Sequence, residues 1–169
     1  MIAASLPTLA FIGGTGPEGR GLALRYAAAG HHVILGSRDP DRAAGAAAEL
    51  NATLGASGVT GASNLDAAVQ AGVAFLVVPF GGQAETLPPL ASALAGKVAV
   101  TAVVPLAFEG GRPAVVVVPE GSAAQQAASL LPGSKVAAAF HHLSAKHLAD
   151  LAHAMEGDVL VCADDAEAK

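Results

Sequence analysis

Three groups of residues have types and spacings suited to chemistry. They are the run Gly13-Gly14-Thr15-Gly16-Pro17-Glu18-Gly19, the tripeptide Gly36-Ser37-Arg38 with Arg42 four residues beyond Arg38, and the pair His141-His142. In the first, Gly14, Gly16 and Gly19 satisfy G-x-G-x-x-G between a short apolar stretch and a helix-like one. In that context the first glycine permits a sharp turn and the second lets the backbone approach a pyrophosphate. The third lets the helix pack closely on the strand. Backbone N–H groups of the turn, which also carries Thr15, Pro17 and Glu18, then meet the phosphates at the positive end of the helix. A dinucleotide is the ligand this arrangement suits.

The second group selects between dinucleotides. An NAD site places Asp or Glu at the end of the second strand, where it accepts hydrogen bonds from the adenosine ribose. Here Ser37 and Arg38 stand in that place. A hydroxyl and a guanidinium suit a 2′-phosphate, because Arg forms strong paired hydrogen bonds to phosphate oxygens. Arg42, one helical turn on, is placed to reach the same phosphate, and Thr15 can donate a further hydrogen bond. NADP is therefore expected. The adjacent acidic residue, Asp39, is accounted for as a helix cap.

Reactive groups belong beyond the C-terminal ends of the strands of an open α/β sheet. Val78-Pro79-Phe80-Gly81, Val104-Pro105-Leu106 and Phe140-His141-His142-Leu143-Ser144 are the segments so placed, with Cys162 as a further candidate. Val78, Pro79 and Phe80 read as a wall of the cofactor channel, or equally as a rigid strand exit. His141-His142 is the one polar pair able to donate a hydrogen bond or move a proton near neutral pH. Adjacent residues point differently, so at most one would face the cleft and orient substrate or cofactor, the other serving local hydrogen bonding. No Cys or carboxylate nearby completes a compact metal-ligand set. Cys162 at the end of an apolar strand reads as a buried thiol. Neither a Gly-x-Ser-x-Gly elbow nor a G-x-x-x-x-G-K-[ST] loop is present, which disfavours a nucleophilic hydrolase and a triphosphatase.

The elements that must position these groups follow from hydrophobic patterning. Strands are expected at Leu9–Ile12, His32–Leu35, Val59, Val73–Val78, Val98–Val103, Val115–Val118, Val136–Phe140 and Asp158–Cys162. Helices are expected over Gly19–Ala29, over Pro40–Leu54 with Asp39 as N-cap, and over Asn64–Gln70, Gln83–Leu94 and Ser122–Leu131. Strands that are apolar throughout belong to a parallel sheet covered on both faces. The class is α/β: a Rossmann-like, doubly wound, mostly parallel sheet with helices on both faces. Residues 1–169 read as a single domain, with residues from about 141 to 169 as the start of an incomplete substrate-side or dimerisation region.

Composition narrows the class further. An apolar content of 53% with only 14% charged residues excludes intrinsic disorder. A formal charge of −5 without a Lys/Arg cluster offers no footprint for nucleic acid. A single cysteine excludes an intrachain disulfide and favours a reducing, cytoplasmic setting. Met1–Phe11 lacks a basic n-region, and the apolar runs fall far short of the roughly 20 residues that span a bilayer, so no membrane association is expected.

Taken together, Phe11 to Gly19, Gly36-Ser37-Arg38, Ala139-Phe140-His141-His142-Leu143-Ser144-Ala145 and Asp158 to Asp165 resemble the NADPH-dependent F420 reductases. The resemblance implies hydride exchange between NADP(H) and the deazaflavin coenzyme F420 by ring-to-ring stacking, in a homodimer, with no obligatory protein acid or base. It implies that Thr15, Ser37, Arg38 and Arg42 hold the 2′-phosphate and that Gly14, Gly16 and Gly19 form the pyrophosphate turn. Val78, Pro79, Phe80 and His141-His142 would border the stacked rings. Two other readings stay open: a non-catalytic NADP-binding sensor or partner module, and an NADPH-dependent reductase of a small organic substrate or ferric iron.

Overall fold

A computed structural model describes residues 6–168; residues 1–5, which open the apolar start, and Lys169 lie outside the described residues. Strands and helices alternate through the first two-thirds of the chain. They run β1 (Leu9–Ile12), α1 (Pro17–Ala28), β2 (Val33–Ser37), α2 (Pro40–Leu54), β3 (Val59–Ser63), α3 (Asn64–Gln70), β4 (Val73–Leu76), α4 (Phe80–Thr86), α5 (Ala91–Leu94) and β5 (Val98–Thr101). After these come β6 (Leu106–Glu109), β7 (Arg112–Val115), α6 (Ala123–Leu130), β8 (Lys135–Ala138), α7 (Ala145–Leu148) and β9 (Cys162–Ala163).

Seven strands form one sheet in the order β3-β2-β1-β4-β5-β8-β9, parallel except for β9, which is antiparallel to β8. This is the doubly wound order, with its switch point between β1 and β4. All four residues of β1 are buried, as a central strand covered on both sides requires. Ala10 and Ile12 join a core with Leu76, Leu87, Leu94 and Leu131 on one face. Leu9 and Phe11 join Leu22, Leu35, Leu50 and Leu148 on the other. On that second face the Phe11 and Phe75 rings stack at 4.7 Å, with Tyr26 and Phe140 packed against Phe75.

Helix starts are written locally. Asp39 Oδ1 accepts from the N–H groups of Asp41 and Arg42, and Pro40 opens α2. The buried positions Ala43, Ala46, Ala47 and Leu50 form its inner stripe. Small residues let the layers close: a Cβ on Gly61 would lie 2.3 Å from the backbone of Ala43 and Ala44, so α2 rests directly on β3. A Cβ on Gly21 would lie 2.6 Å from Leu148 Cβ, which brings α1 against α7. That contact is sealed by Arg25, whose guanidinium donates to four carbonyl oxygens: His147, Leu148, Asp150 and His153, at 2.7–3.0 Å.

Several expected elements take another form. Val115–Val118 is not a strand of the sheet. Only Val115 is in a strand, and β7 pairs with β6 in a separate antiparallel hairpin. Its two-residue turn is Gly110-Gly111, both at positive φ, the conformation that hairpin turns of this length require. The expected helix from Gln83 begins at Phe80 and breaks at Pro88-Pro89, which lack N–H donors, into a 3₁₀ turn before α5. The last strand is two residues long, and Cys162 is exposed on this sheet-edge strand rather than buried. Among the described residues no helix is long and apolar enough to cross a membrane.

Candidate functional site

At the β1/β4 switch point the C-terminal ends of β1, β2, β4 and β5 open into a cleft of about 700 Å³. Its floor is the glycine turn. Gly13 takes φ +73° and donates its N–H to Asn64 Oδ1 at 3.0 Å, while Gly14 N–H reaches both Phe11 O and Gly36 O at 3.0 Å. A Cβ on Gly14 would lie 2.7 Å from Phe11 O, and one on Gly19 would lie 2.7 Å from Gly14 Cα. A Cβ on Gly16 would meet no protein atom within 4 Å. The first and third glycines therefore pack strand against helix, and the second opens onto the cleft. Gly16 also N-caps α1 without any side-chain hydrogen bond, so the first N–H groups of this 12-residue helix are free of a side-chain cap.

The structure brings Thr15, Gly16, Pro17, Glu18 and Gly19 together with Ser37, Arg38 and Arg42 around one half of the cleft. Gly14 lies beneath it as packing. Ser37 is buried, and its Oγ accepts the N–H of Asp39 at 3.1 Å. The Asp39 carboxylate is engaged in capping α2, while Arg38 and Arg42 are exposed and, among the described residues, make no salt bridge. The other half is lined by Val77, Val78, Pro79 and Phe80 from the β4 exit and by Ala102, Val103 and Val104 from the β5 exit. Phe80 opens α4, with Pro79 as its N-cap.

Glu18 is a group whose protonation the surroundings alter. Burial pushes its carboxyl above the ordinary carboxylate value, and its Oε1 is enclosed without a hydrogen-bond partner among the described residues. Glu85 adds a second carboxylate to the cleft lining.

His141 and His142 do not line the cleft. They are exposed in the turn after β8, where Phe140 takes φ +67° and packs its ring into the aromatic cluster. His142 Nε2 lies 3.2 Å from Asp158 O, a local hydrogen bond. Among the described residues no group of three His, Cys, Asp or Glu side chains could hold a metal ion. Reading the sequence named Val104 at the β5 exit but missed Ala102 and Val103 beside it, and missed Asn64, Gly82, Glu85 and Thr86. For Asn64 a signal existed. Ser63 already caps α3 by accepting the Asp66 N–H, so an adjacent buried Asn needs another partner.

The family described as "NADP oxidoreductase coenzyme F420-dependent" matches residues 8–105, which include the whole glycine turn, Ser37, Arg38 and both apolar strand exits. The chain belongs to this family. It is 41% identical to the F420-dependent NADP reductase of Methanothermobacter thermautotrophicus over 99% of this chain and 75% of that protein. It is 37% identical to the enzyme of the same name from Methanocaldococcus jannaschii over 95% of this chain and 74% of that one. This F420-dependent oxidoreductase family member also superposes on the crystal structure of a putative F420-dependent NADP-reductase from Arthrobacter sp. FB24. There the TM-score is 0.79 and the identity 30%, covering 96% of this chain and 76% of that one. It spans about three-quarters of the length of each of these relatives.

Proposed function

We propose that this protein is an NADP-dependent oxidoreductase that exchanges hydride between NADP(H) and coenzyme F420, with the two rings held face to face at the apolar end of the cleft. The observation that carries NADP is the pairing of Gly16, open to the cleft at the bare N-terminus of α1, with Ser37, Arg38 and Arg42 beyond the end of β2. That half of the cleft suits a dinucleotide twice over: helix N–H groups for the pyrophosphate and two cations, without salt bridges among the described residues, for a 2′-phosphate. F420 as the hydride partner rests on the family and on relatives named F420-dependent NADP reductase.

Nicotinamide supplies hydride chemistry when bound; the chain's own part is placement. Thr15, Gly16 and the first turn of α1 hold the phosphates, and Arg38 and Arg42 fix the adenosine end. Val78, Pro79, Phe80, Val103 and Val104 form apolar walls that keep water from the reacting carbon. Hydride transfer between two ring cofactors needs orientation more than a protein acid. The same reading has residues 1–169 as one NADP-binding domain, its last part from about residue 141 leading into the substrate side, in a cytoplasmic homodimer.

The test is anaerobic assay of the purified protein for NADPH oxidation with F420, set beside a flavin and a simple ketone. Turnover with F420 alone is expected. NADP binding without turnover on any acceptor would replace the enzyme by a binding module.

A further inference from the structure

We propose that Asn64 is a two-sided cofactor residue: its carbonyl fixes the glycine turn, and its amide NH₂ donates to an oxygen on the adenosine side of the bound dinucleotide. The inference rests on the reading of the cleft as an NADP site and assigns a hydrogen-bond donor that the glycine and arginine motifs do not contain.

Asn64 is 9% exposed and opens α3 at the end of β3, yet it reaches across β2 to the turn that follows β1. The path is visible at Gly36, where an added Cβ would stand 2.8 Å from Asn64 Oδ1, so glycine is what leaves room for the side chain. The Gly13 N–H requires an acceptor, and that settles the orientation of the amide: Oδ1 faces Gly13 at 3.0 Å and Nδ2 must point elsewhere. Among the described residues no protein acceptor takes the Nδ2 hydrogens, and Nδ2 is not among the enclosed unpartnered atoms. Asn64 lines the cleft together with Gly13, Ser37 and Arg38; it bonds the first, and the residue before it, Ser63, pairs with Ser37 across the strand ends. A dinucleotide running from the glycine turn to the two arginines must pass this donor pair. The groups it presents along that path are ribose hydroxyl and phosphate oxygens, all acceptors. Capping does not explain the residue, since Ser63 Oγ already takes the Asp66 N–H at 3.1 Å.

The substitution N64D separates the two sides. It keeps an oxygen for the Gly13 N–H but replaces the donor by a second oxygen facing phosphate. The melting temperature is expected to stay near that of the wild type. Calorimetric titration at pH 8 is expected to show NADP affinity reduced about 30-fold. Relative to the wild type at each pH, affinity should recover toward pH 5 as the introduced carboxyl takes up a proton. A purely structural role predicts wild-type affinity and an unchanged pH profile; N64D binding within about threefold of the wild type at pH 8 would overturn the proposal. A measurement on the unaltered protein keeps the question open to test if N64D fails to fold. The side-chain NH₂ resonances of Asn64 should shift and exchange more slowly on adding NADP. Resonances that stay still while the Gly13 amide moves would also overturn it. Wild-type protein that binds no NADP would overturn the function reading, and this inference with it.

Discussion

The two ends of the cleft are built on opposite principles. At the end with the glycine turn and the arginines most polar groups are committed: Gly13 to Asn64 Oδ1, Gly14 to two carbonyls, Ser37 and Asp39 to the start of α2, leaving two arginines, the Asn64 NH₂ and the first N–H groups of α1 for a ligand. At the other end the strand exits contribute Val77, Val78, Pro79, Phe80 and Val103, side chains with shape and no proton to give, with Glu85 and Thr86 of α4 as the polar exceptions. The contrast teaches that affinity and chemistry are separable here. On the proposed function, one end recognises by fixed donors and charge, and the other acts by excluding water and holding flat rings in contact. Substitutions at the first end should therefore change binding, and those at the second should change rate.

The strongest way to break this division is at the turn itself. In G19A the new methyl group meets the Gly14 backbone at 2.7 Å, with no flexible side chain to give way. Overpacking of about 1–3 kcal/mol is expected in thermal melts, together with loss of measurable NADP binding in titration. G16A sharpens the point, because its methyl enters open cleft: melting should drop by no more than the loss of a glycine N-cap, about 1 kcal/mol, while NADP affinity falls. Next is R38A, for which NADP affinity should fall by about 1.5–3 kcal/mol while NAD affinity stays put; equal losses for both cofactors would remove the 2′-phosphate assignment. At the opposite end, F80A should lower the hydride-transfer rate about tenfold in single-turnover measurement, with NADP affinity within threefold of the wild type. A large affinity loss there would erase the division.

The smallest effect concerns Glu18. Burial raises its carboxyl above the ordinary value near 4.5, so the unfolded chain releases that proton first. The stability linked to Glu18 is thus full below that value and lost as pH rises through the folded one. E18Q should flatten this slope and melt above the wild type at neutral pH, the difference closing below pH 4.5. Melting curves across that range are the check.

That the glycine turn, Ser37 and Arg38 meet at one cleft was legible in the sequence because the signals are local. Gly16 and Gly19, Pro40 behind Asp39, and Ser37-Arg38 each act within a few residues of where they stand. The helix over Asn64–Gln70 and the strand over Leu9–Ile12 agree with the structure to the residue. What was not legible depends on contacts across elements. Asn64 is read as a helix start until Gly13, 51 residues away, is seen to donate to it. The valines near Val115 match a buried strand in pattern, but Val115 and Val117 are 81% and 88% exposed on and beside a hairpin that the sheet does not admit. His141 and His142 look reactive by type, and only the chain path through Phe140 puts them outside the cleft lining.

The Arg25 clamp bears on how the chain comes to be folded. Its four carbonyl partners lie 122–128 residues downstream, so the contact cannot form until His153 has left the ribosome. Synthesis delivers the glycine turn and its first strands early, and the face of α1 around Gly21 stays uncovered until Leu148 follows. Closing so long a loop is slow relative to local helix formation. The nascent protein therefore has its glycine turn well before the segment that seals the helix behind it.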